Sequence, residues 1–313
     1  MSNWKILIAD GLSNQGQELL RANALVDDRN GISAQELLEC IVEYDALIVR
    51  SRTKVNVQLL EKAGRLRVIG RAGVGVDNID LQVAQDRGIT VLNTPTSTSI
   101  AVAEHTLALI LSLSRSIPRA DKAMKSGEWL KKELTGVELY QKTLGIIGMG
   151  HIGGGVARRA AAFGMDIIAY DPLIHSDEIR QRGAEPTSLA ELYARSDFIS
   201  VHVPLTDETH GMIDAGAFKM MKRGVRLICD ARGGVIDEEA LLAALQSGQV
   251  AGAALDVFSH EPPGKTELVL HPQVIATPHI GAQTTEAQVR AATDIAVEVL
   301  AALNGEKLRW NVV

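Results

Sequence analysis

The chain has 313 residues, 46% of them hydrophobic and 22% charged, with a formal net charge of −6. That balance is the one of a soluble globular chain with room for about two domains. The negative charge argues against a nucleic-acid surface, which needs a basic face, so an anionic ligand must meet a local cluster of cations. The two cysteines, Cys40 and Cys229, lie far apart and match neither a metal nor a redox spacing. Both are expected to be buried packing residues in a reducing compartment.

The start, MSNWKILIAD, passes straight into a strand pattern with no basic n-region or apolar h-region, so no secretory signal is expected. Four short β-branched runs follow one another, KILIAD, DALIVR, RVIGRA and ITVLN, with helical patterns such as SAQELLECIVEY between them. This is the alternation of a small parallel sheet with covering helices. After NTPTSTS comes a long helix over about 99–115. Its apolar part, AVAEHTLALILSLS, is interrupted by Glu104 and His105 and is too short to span a bilayer, so a cytoplasmic location without a membrane partner is expected.

An irregular stretch, SIPRADKAMKSGEWLKKELTGVELYQ, then gives way to a second series: TLGIIGMG, DIIAYD, DFISVHV, RLICDA, VAGAALDVF and VIATPH. The helix pattern TTEAQVRAATDIAVEVLAALNG and a tail, KLRWNVV, close the chain, and the tail is long enough to return to the first unit. The fold class is α/β, with two doubly wound parallel-sheet domains. The first is discontinuous, 1–98 plus 286–313, and the second covers 99–285.

The most specific local pattern is TLGIIGMGHIGGGVARRAAAFGMDIIAYD. Gly148, Gly150 and Gly153 follow an apolar strand and open a helix, and the next strand ends in Asp171, which is the context a dinucleotide fingerprint requires. One glycine makes the tight turn, the next lets backbone approach a pyrophosphate, and the third lets helix pack on strand. The free N–H groups of the helix start favour phosphate. Asp171 would accept from ribose hydroxyls and repel a 2′-phosphate, so the expected cofactor is NAD rather than NADP.

These motifs, with RAGVGVDNID, LNTPTSTSIAVAEHTLALIL, ARGGVIDEEALLAAL, GAALDVFSHEPP and TPHIGAQTTEAQ in that order, resemble the D-isomer-specific 2-hydroxyacid dehydrogenases over essentially the whole chain. Within the family the likeness is strongest to the members that oxidise 3-phospho-D-glycerate, in a short form that stops after one catalytic unit, for which no serine feedback is expected. The resemblance implies a flavodoxin-like substrate domain and a Rossmann NAD domain with a cleft between them. It implies the catalytic set Arg232, Glu261 and His279. Carried over position by position, NAD contacts would come from Val74, His151, Ile152, Asp171, Val203, Asp230, Ala231, Arg232, Asp256, His279, Ile280, Gly281 and Ala282, besides the three loop glycines. The segment of about 115–140 would form an arm that packs on a partner subunit, giving a homodimer or a higher homo-oligomer.

The chemistry suits those residue types. Reducing a 2-keto acid needs a hydride, a proton and a cation for the carboxylate. His279 would donate the proton and take it back in oxidation, its unperturbed pKa of about 6.5 making both directions accessible. Glu261 would hold the other ring nitrogen and favour the charged ring. Arg232 offers a planar fork for a carboxylate on a strand-end loop. For the substrate's second anion, Arg50 and Arg71 stand at strand ends, Lys131 would come from a partner's arm, and the backbone of Arg71, Ala72, Gly73 and Val74 would grip the carboxylate. A hydroxypyruvate or glyoxylate reductase needs no such cluster. A sulfolactate dehydrogenase would use it for a sulfonate, and an NAD-sensing protein-binding module would keep the catalytic set without turnover.

Some positions depart from the family's pattern. His151 stands where arginine is usual in the phosphate loop. Cys229 and Asp230 stand where asparagine and a small residue usually precede ARGG, so Asp230 would add negative charge near the nicotinamide. Gly154 and Gly155 extend the glycine run into the helix, at about 1 kcal/mol each relative to alanine, for which close packing on the sheet is the expected reason.

Overall fold

The computed structural model describes residues 3–313. They form two compact units, residues 3 to 99 with Ala282–Val313, and Ile100–Gly281. The unit boundaries thus fall at 99/100 and 281/282, against 98/99 and 285/286 from the sequence.

The first unit carries β1 (Lys5–Ile8), β2 (Leu25–Asp28), β3 (Ala46–Val49), β4 (Val68–Arg71) and β5 (Thr90–Leu92), all parallel in the order β2-β1-β3-β4-β5. This is the flavodoxin order of doubly wound sheets. The central β3, ALIV, is buried at every position, as a strand covered on both faces must be. The edge strand β2 was not anticipated: its sequence LVDD exposes Leu25 and ends in two acids, so it carries no apolar run.

The helix Thr285–Leu303 starts on Thr284, whose hydroxyl accepts from the Ala287 N–H at 3.2 Å. It packs against β4 so closely that a Cβ on Gly70 would stand 2.5 Å from Val299 Cγ2. The tail then returns to β5: Val91 N–H donates to Val313 at 3.0 Å and Val312 N–H to Val91 at 2.8 Å. Buried Glu298 fixes that return by accepting from the Arg309 backbone N–H at 2.8 Å and its Nε at 2.7 Å.

The second unit carries β6 (Thr143–Ile147), β7 (Asp166–Tyr170), β8 (Glu185–Pro186), β9 (Phe198–Val201), β10 (Val225–Cys229), β11 (Val250–Leu255) and β12 (Val274–Ala276), in the order β12-β11-β10-β9-β6-β7-β8. Its first six strands follow the dinucleotide-binding order, which reverses direction between β6 and β9. Alternation along each strand feeds two apolar layers: Leu227 and Cys229 enter one, Ile228 the other. The short β8 had no sequence signal.

The stretch after the Ser99–Arg115 helix is less irregular than expected, because Ser116 turns at φ 51° into a second helix, Ile117–Lys125. No single helix among the described residues is long and apolar enough to cross a membrane. Two packing expectations are corrected. Cys40 is only half-buried, at the end of the Ala34–Cys40 helix, while Cys229 is buried as expected. Gly155 faces not the sheet but the 99–115 helix, where its Cβ would stand 3.1 Å from the Ala103 Cβ. A Cβ on Gly154 would meet nothing closer than Arg182 Cδ at 3.6 Å, an ordinary contact.

Candidate active site

The phosphate loop follows β6. Gly148 sits at φ 92°, and a Cβ there would lie 2.6 Å from the His202 carbonyl oxygen and 2.9 Å from Val203 Cγ1, so β9's extension fills the space a side chain would need. A Cβ on Gly153 would strike the Gly148 carbonyl. Gly150 has nothing within 4 Å of its Cβ position and caps the 151–161 helix with no side-chain bond. The loop is therefore tight beneath and open above, at a helix start with unspent N–H groups, which fits a pyrophosphate.

Asp171 Oδ2 accepts from Met149 N–H at 2.8 Å and Oδ1 from Leu173 N–H at 2.9 Å, so each oxygen keeps lone pairs for ribose hydroxyls. His151 and half-buried Ile152 open the helix, and His151 is exposed. Arg182, a residue without a sequence signal, also meets this loop. Its guanidinium donates to the Met149 carbonyl in a short bond and pairs with Glu178, putting a cation beside the loop whose usual arginine is His151. No motif marks it, since it reaches the loop only through the fold.

Strand ends β11 and β12 build the histidine turn. His279 adopts φ 54°, and its Nδ1 lies 2.9 Å from Glu261 Oε2, the ring and the carboxylate both partly exposed. Glu261 Oε1 accepts from Phe258 N–H at 3.2 Å. The strained turn is held by Asp256, only 1% exposed. Its Oδ1 accepts from Thr277 Oγ1 at 2.6 Å and Ile280 N–H at 2.9 Å, its Oδ2 from Gly281 N–H at 2.8 Å, and its carbonyl from His279 N–H at 2.9 Å. Burial pushes the Asp256 carboxyl up, but bonds from His105, Thr277 and the two backbone N–H groups outweigh it and hold it below the usual range. Asp256, expected among the NAD contacts, has both carboxylate oxygens bonded to the turn, which it caps.

The Arg232 loop leaves β10 against the segment that carries Glu261: a Cβ on Gly233 would overlap the Phe258 carbonyl. Arg232 Nη1 donates to the Ala231 carbonyl at 2.7 Å, and Cys229 Sγ faces the Arg232 carbonyl at 3.8 Å. Burial pushes the Cys229 thiol up to about 12, which leaves it inert.

Asp230, buried, binds Thr106 Oγ1 in a short bond. Its other oxygen faces His202 Nδ1 at 3.4 Å, both side chains sealed from solvent, and His202 Nε2 lies 2.7 Å from Ser200 Oγ. Burial raises the Asp230 carboxyl to about 7 against the pull of Thr106, and burial lowers His202 to about 3. Ser200, His202 and Asp230 stand in the sequence of a nucleophile relay, yet Ser200 has no exposure and can reach no substrate. Asp230 lies inside this network, so any influence on a cofactor passes through the loop that follows it.

In the first unit, Arg50 directly follows β3. Its N–H donates to Asp10 Oδ2 at 2.7 Å, its Nη2 to Gln283 Oε1 at 3.2 Å, and burial pulls its pKa down. Arg71 ends β4 and its guanidinium curls back over the next turn, donating to the Ala72 carbonyl at 3.4 Å. A Cβ on Gly73, at φ 146°, would fall on that guanidinium, so glycine is required there. The Ala72 N–H is already committed to the Val49 carbonyl at 3.0 Å and cannot serve a carboxylate, which corrects one expected contact. The Val74 carbonyl accepts from Asn93 Nδ2 at 2.7 Å and the Gly73 carbonyl from Thr94 N–H at 2.9 Å, so the turn is pinned. Ala282 belongs to this unit and its carbonyl accepts from Gln288. Lys131 is exposed and belongs to the second unit.

Residues 107–281 match the family model "D-isomer specific 2-hydroxyacid dehydrogenase, NAD binding domain". The chain is 47% identical over 310 residues to the D-3-phosphoglycerate dehydrogenase of Methanocaldococcus jannaschii, covering 99% of this chain and 59% of that protein. Across the curated relatives it matches, the chain spans about half of their length, 52% to 59%. Among solved structures, a glyoxylate reductase from Paecilomyes thermophila superposes with a TM-score of 0.91 at 31% identity, covering 100% of this chain and 99% of that one. The D-lactate dehydrogenase of Aquifex aeolicus, solved with NAD and lactic acid, gives 0.83 at 34%, covering 96% of each. With its glycine loop, its strand orders and its histidine turn, the chain belongs to the D-isomer specific 2-hydroxyacid dehydrogenase family, the NAD-dependent oxidoreductases of 2-hydroxy acids.

Proposed function

We propose that this chain oxidises 3-phospho-D-glycerate to 3-phosphohydroxypyruvate, or runs the reverse reduction, with His279 as acid and base. The observation that carries the reading is the 2.9 Å contact of His279 Nδ1 with Glu261 on a turn pinned by Asp256. With Nδ1 bound to the carboxylate, Nε2 is the nitrogen left to exchange a proton with the substrate oxygen. Glu261 stabilises the ring when charged, and Arg232 binds the substrate carboxylate through its fork. NAD, when bound, accepts or returns the hydride, and the loop at Gly148, Gly150 and Gly153, with Asp171, holds it.

The choice of a phosphorylated substrate rests on the names of the curated relatives and on the strand-end cations Arg50 and Arg71. A dianion needs such cations, and a homodimer in which a partner's arm supplies Lys131 would complete them. Exposed Ile117, Met124, Trp129 and Tyr140 give that arm an apolar surface suited to burial against a second copy. A cytoplasmic location completes the reading, where NAD and reduced thiols coexist.

The test is initial NADH oxidation with 3-phosphohydroxypyruvate, hydroxypyruvate, glyoxylate, pyruvate and sulfopyruvate. A kcat/KM at least a hundredfold higher for 3-phosphohydroxypyruvate than for hydroxypyruvate is expected. Preference for sulfopyruvate would reassign the second anion, and preference for glyoxylate or hydroxypyruvate would remove it. NADH binding without turnover of any of them would leave a protein-binding module.

A further inference from the structure

We propose that His105 is a positioning residue for the reaction: through Asp256 it fixes the turn that carries His279. The proposal deepens the reading of His279 as acid and base and rests on it.

His105 lies on the 99–115 helix, far in sequence from Asp256 and His279, within the stretch LNTPTSTSIAVAEHTLALIL, to which the sequence alone attaches no chemical role. Its Nε2 stands 3.5 Å from Asp256 Oδ1 and 3.4 Å from Thr277 Oγ1. Thr277 has one proton and gives it to Asp256 at 2.6 Å, so toward His105 it can only accept. Nε2 must therefore carry hydrogen and point it between two oxygens, one of them a carboxylate with 1% exposure. Asp256 in turn supplies every side-chain bond that holds Ile280 and Gly281, and its carbonyl holds His279. The ring also forms part of the floor of the turn: a Cβ on Gly281 would stand 3.2 Å from Asp256 Oδ2 and 3.5 Å from His105 Cδ2.

The physical need is plain. A non-glycine residue at φ 54° costs energy and persists only where its surroundings dictate it. Here the surroundings are the bonds of one buried carboxylate, and they are strongest while it is ionised. Burial alone would favour the neutral acid. His105 opposes this with a donated hydrogen and, when protonated, a positive charge, and its own pKa is raised chiefly by the bond to Asp256. Asp230 is the other titratable group that acts on it, also favouring the charged ring.

The test uses the full-length chain with His105→Phe and His105→Gln. Phenylalanine keeps a ring without a donor, and glutamine keeps a neutral donor. For whichever 2-keto acid the wild type reduces, His105→Phe should lower kcat at least tenfold with KM changed less than threefold, and His105→Gln should recover most of the loss. In parallel, 15N-histidine spectra of the NADH-bound protein should show the His279 ring signals displaced in His105→Phe and near wild type in His105→Gln. Unchanged kcat and unchanged His279 signals in His105→Phe would overturn the proposal, as would equal losses in both variants.

The wild-type spectrum decides the matter if the phenylalanine variant fails to fold: His105 must carry hydrogen on Nε2 from pH 6 to 9, and a ring protonated only on Nδ1 overturns the assignment. Because the spectra need no substrate, a protein that reduces no keto acid would sink the functional reading while leaving this inference separately judged.

Discussion

The histidine turn of the second unit and the arginine turns of the first are built differently. At residues 277–281 one buried carboxylate takes three hydrogen bonds, and the His279 ring is bonded to a second carboxylate. In the first unit, Arg50 Nη2 donates to Gln283 Oε1 at 3.2 Å and Arg71 Nη1 to the Ala72 carbonyl at 3.4 Å, both neutral oxygens. The first arrangement leaves a group in one geometry before any ligand arrives, which is what proton transfer needs. The second leaves long side chains able to turn toward an anion, which suits the choice among acids that share the same reacting end. The proposed function thus places its chemistry in the turn with the many hydrogen bonds and its substrate choice in the two long arginine side chains.

Breaking the histidine turn should have the largest effect. His279→Ala removes the proton carrier, and kcat should fall about a thousandfold, within the range for general acid–base groups, while the Kd for NADH measured by fluorescence stays within threefold. Glu261→Gln should lower kcat/KM about tenfold to a hundredfold while the Kd for NADH stays within threefold, because the His279 ring loses the carboxylate that orients it. An unchanged kcat/KM would give Glu261 a packing role only.

A smaller effect is expected at Asp230, which sharpens the comparison by testing a buried group away from the reacting atoms. Its folded pKa of about 7 lies above the ordinary value of 3.8. The folded chain therefore keeps a proton that the unfolded chain releases above pH 4. The cost of the carboxyl grows as pH rises from about 4 to 7 and is complete above that. Asp230→Asn should accordingly gain several degrees in Tm relative to wild type at pH 8 and little at pH 5. His202, lowered to about 3 by burial, takes up no proton in the folded state over that range. A Tm difference independent of pH would mean that Asp230 is ionised throughout.

Much of the fold, and the pairing of His279 with Glu261, was legible in the sequence, for identifiable reasons. Parallel strands read as apolar runs because both faces are covered, and the glycine loop and ARGG each need particular residues at particular spacings. What escaped had no local signal. Leu25–Asp28 forms an edge strand from an exposed leucine and two acids. Arg182 meets the phosphate loop from a later helix, and His105 sits in an otherwise apolar helix whose pattern reads as packing. Asp256 was legible as important, but its work as a turn cap depends on β11 and β12 ending side by side.

The most direct test of the division between chemistry and substrate choice is one comparison of kcat/KM for 3-phosphohydroxypyruvate and hydroxypyruvate in wild type and in the double variant Arg50→Gln, Arg71→Gln. The account predicts that the rate constant for the phosphorylated acid falls at least a hundredfold while that for hydroxypyruvate changes less than threefold. An equal fall for both acids would contradict it, placing these arginines in the support of the reacting site rather than in the recognition of a second anion.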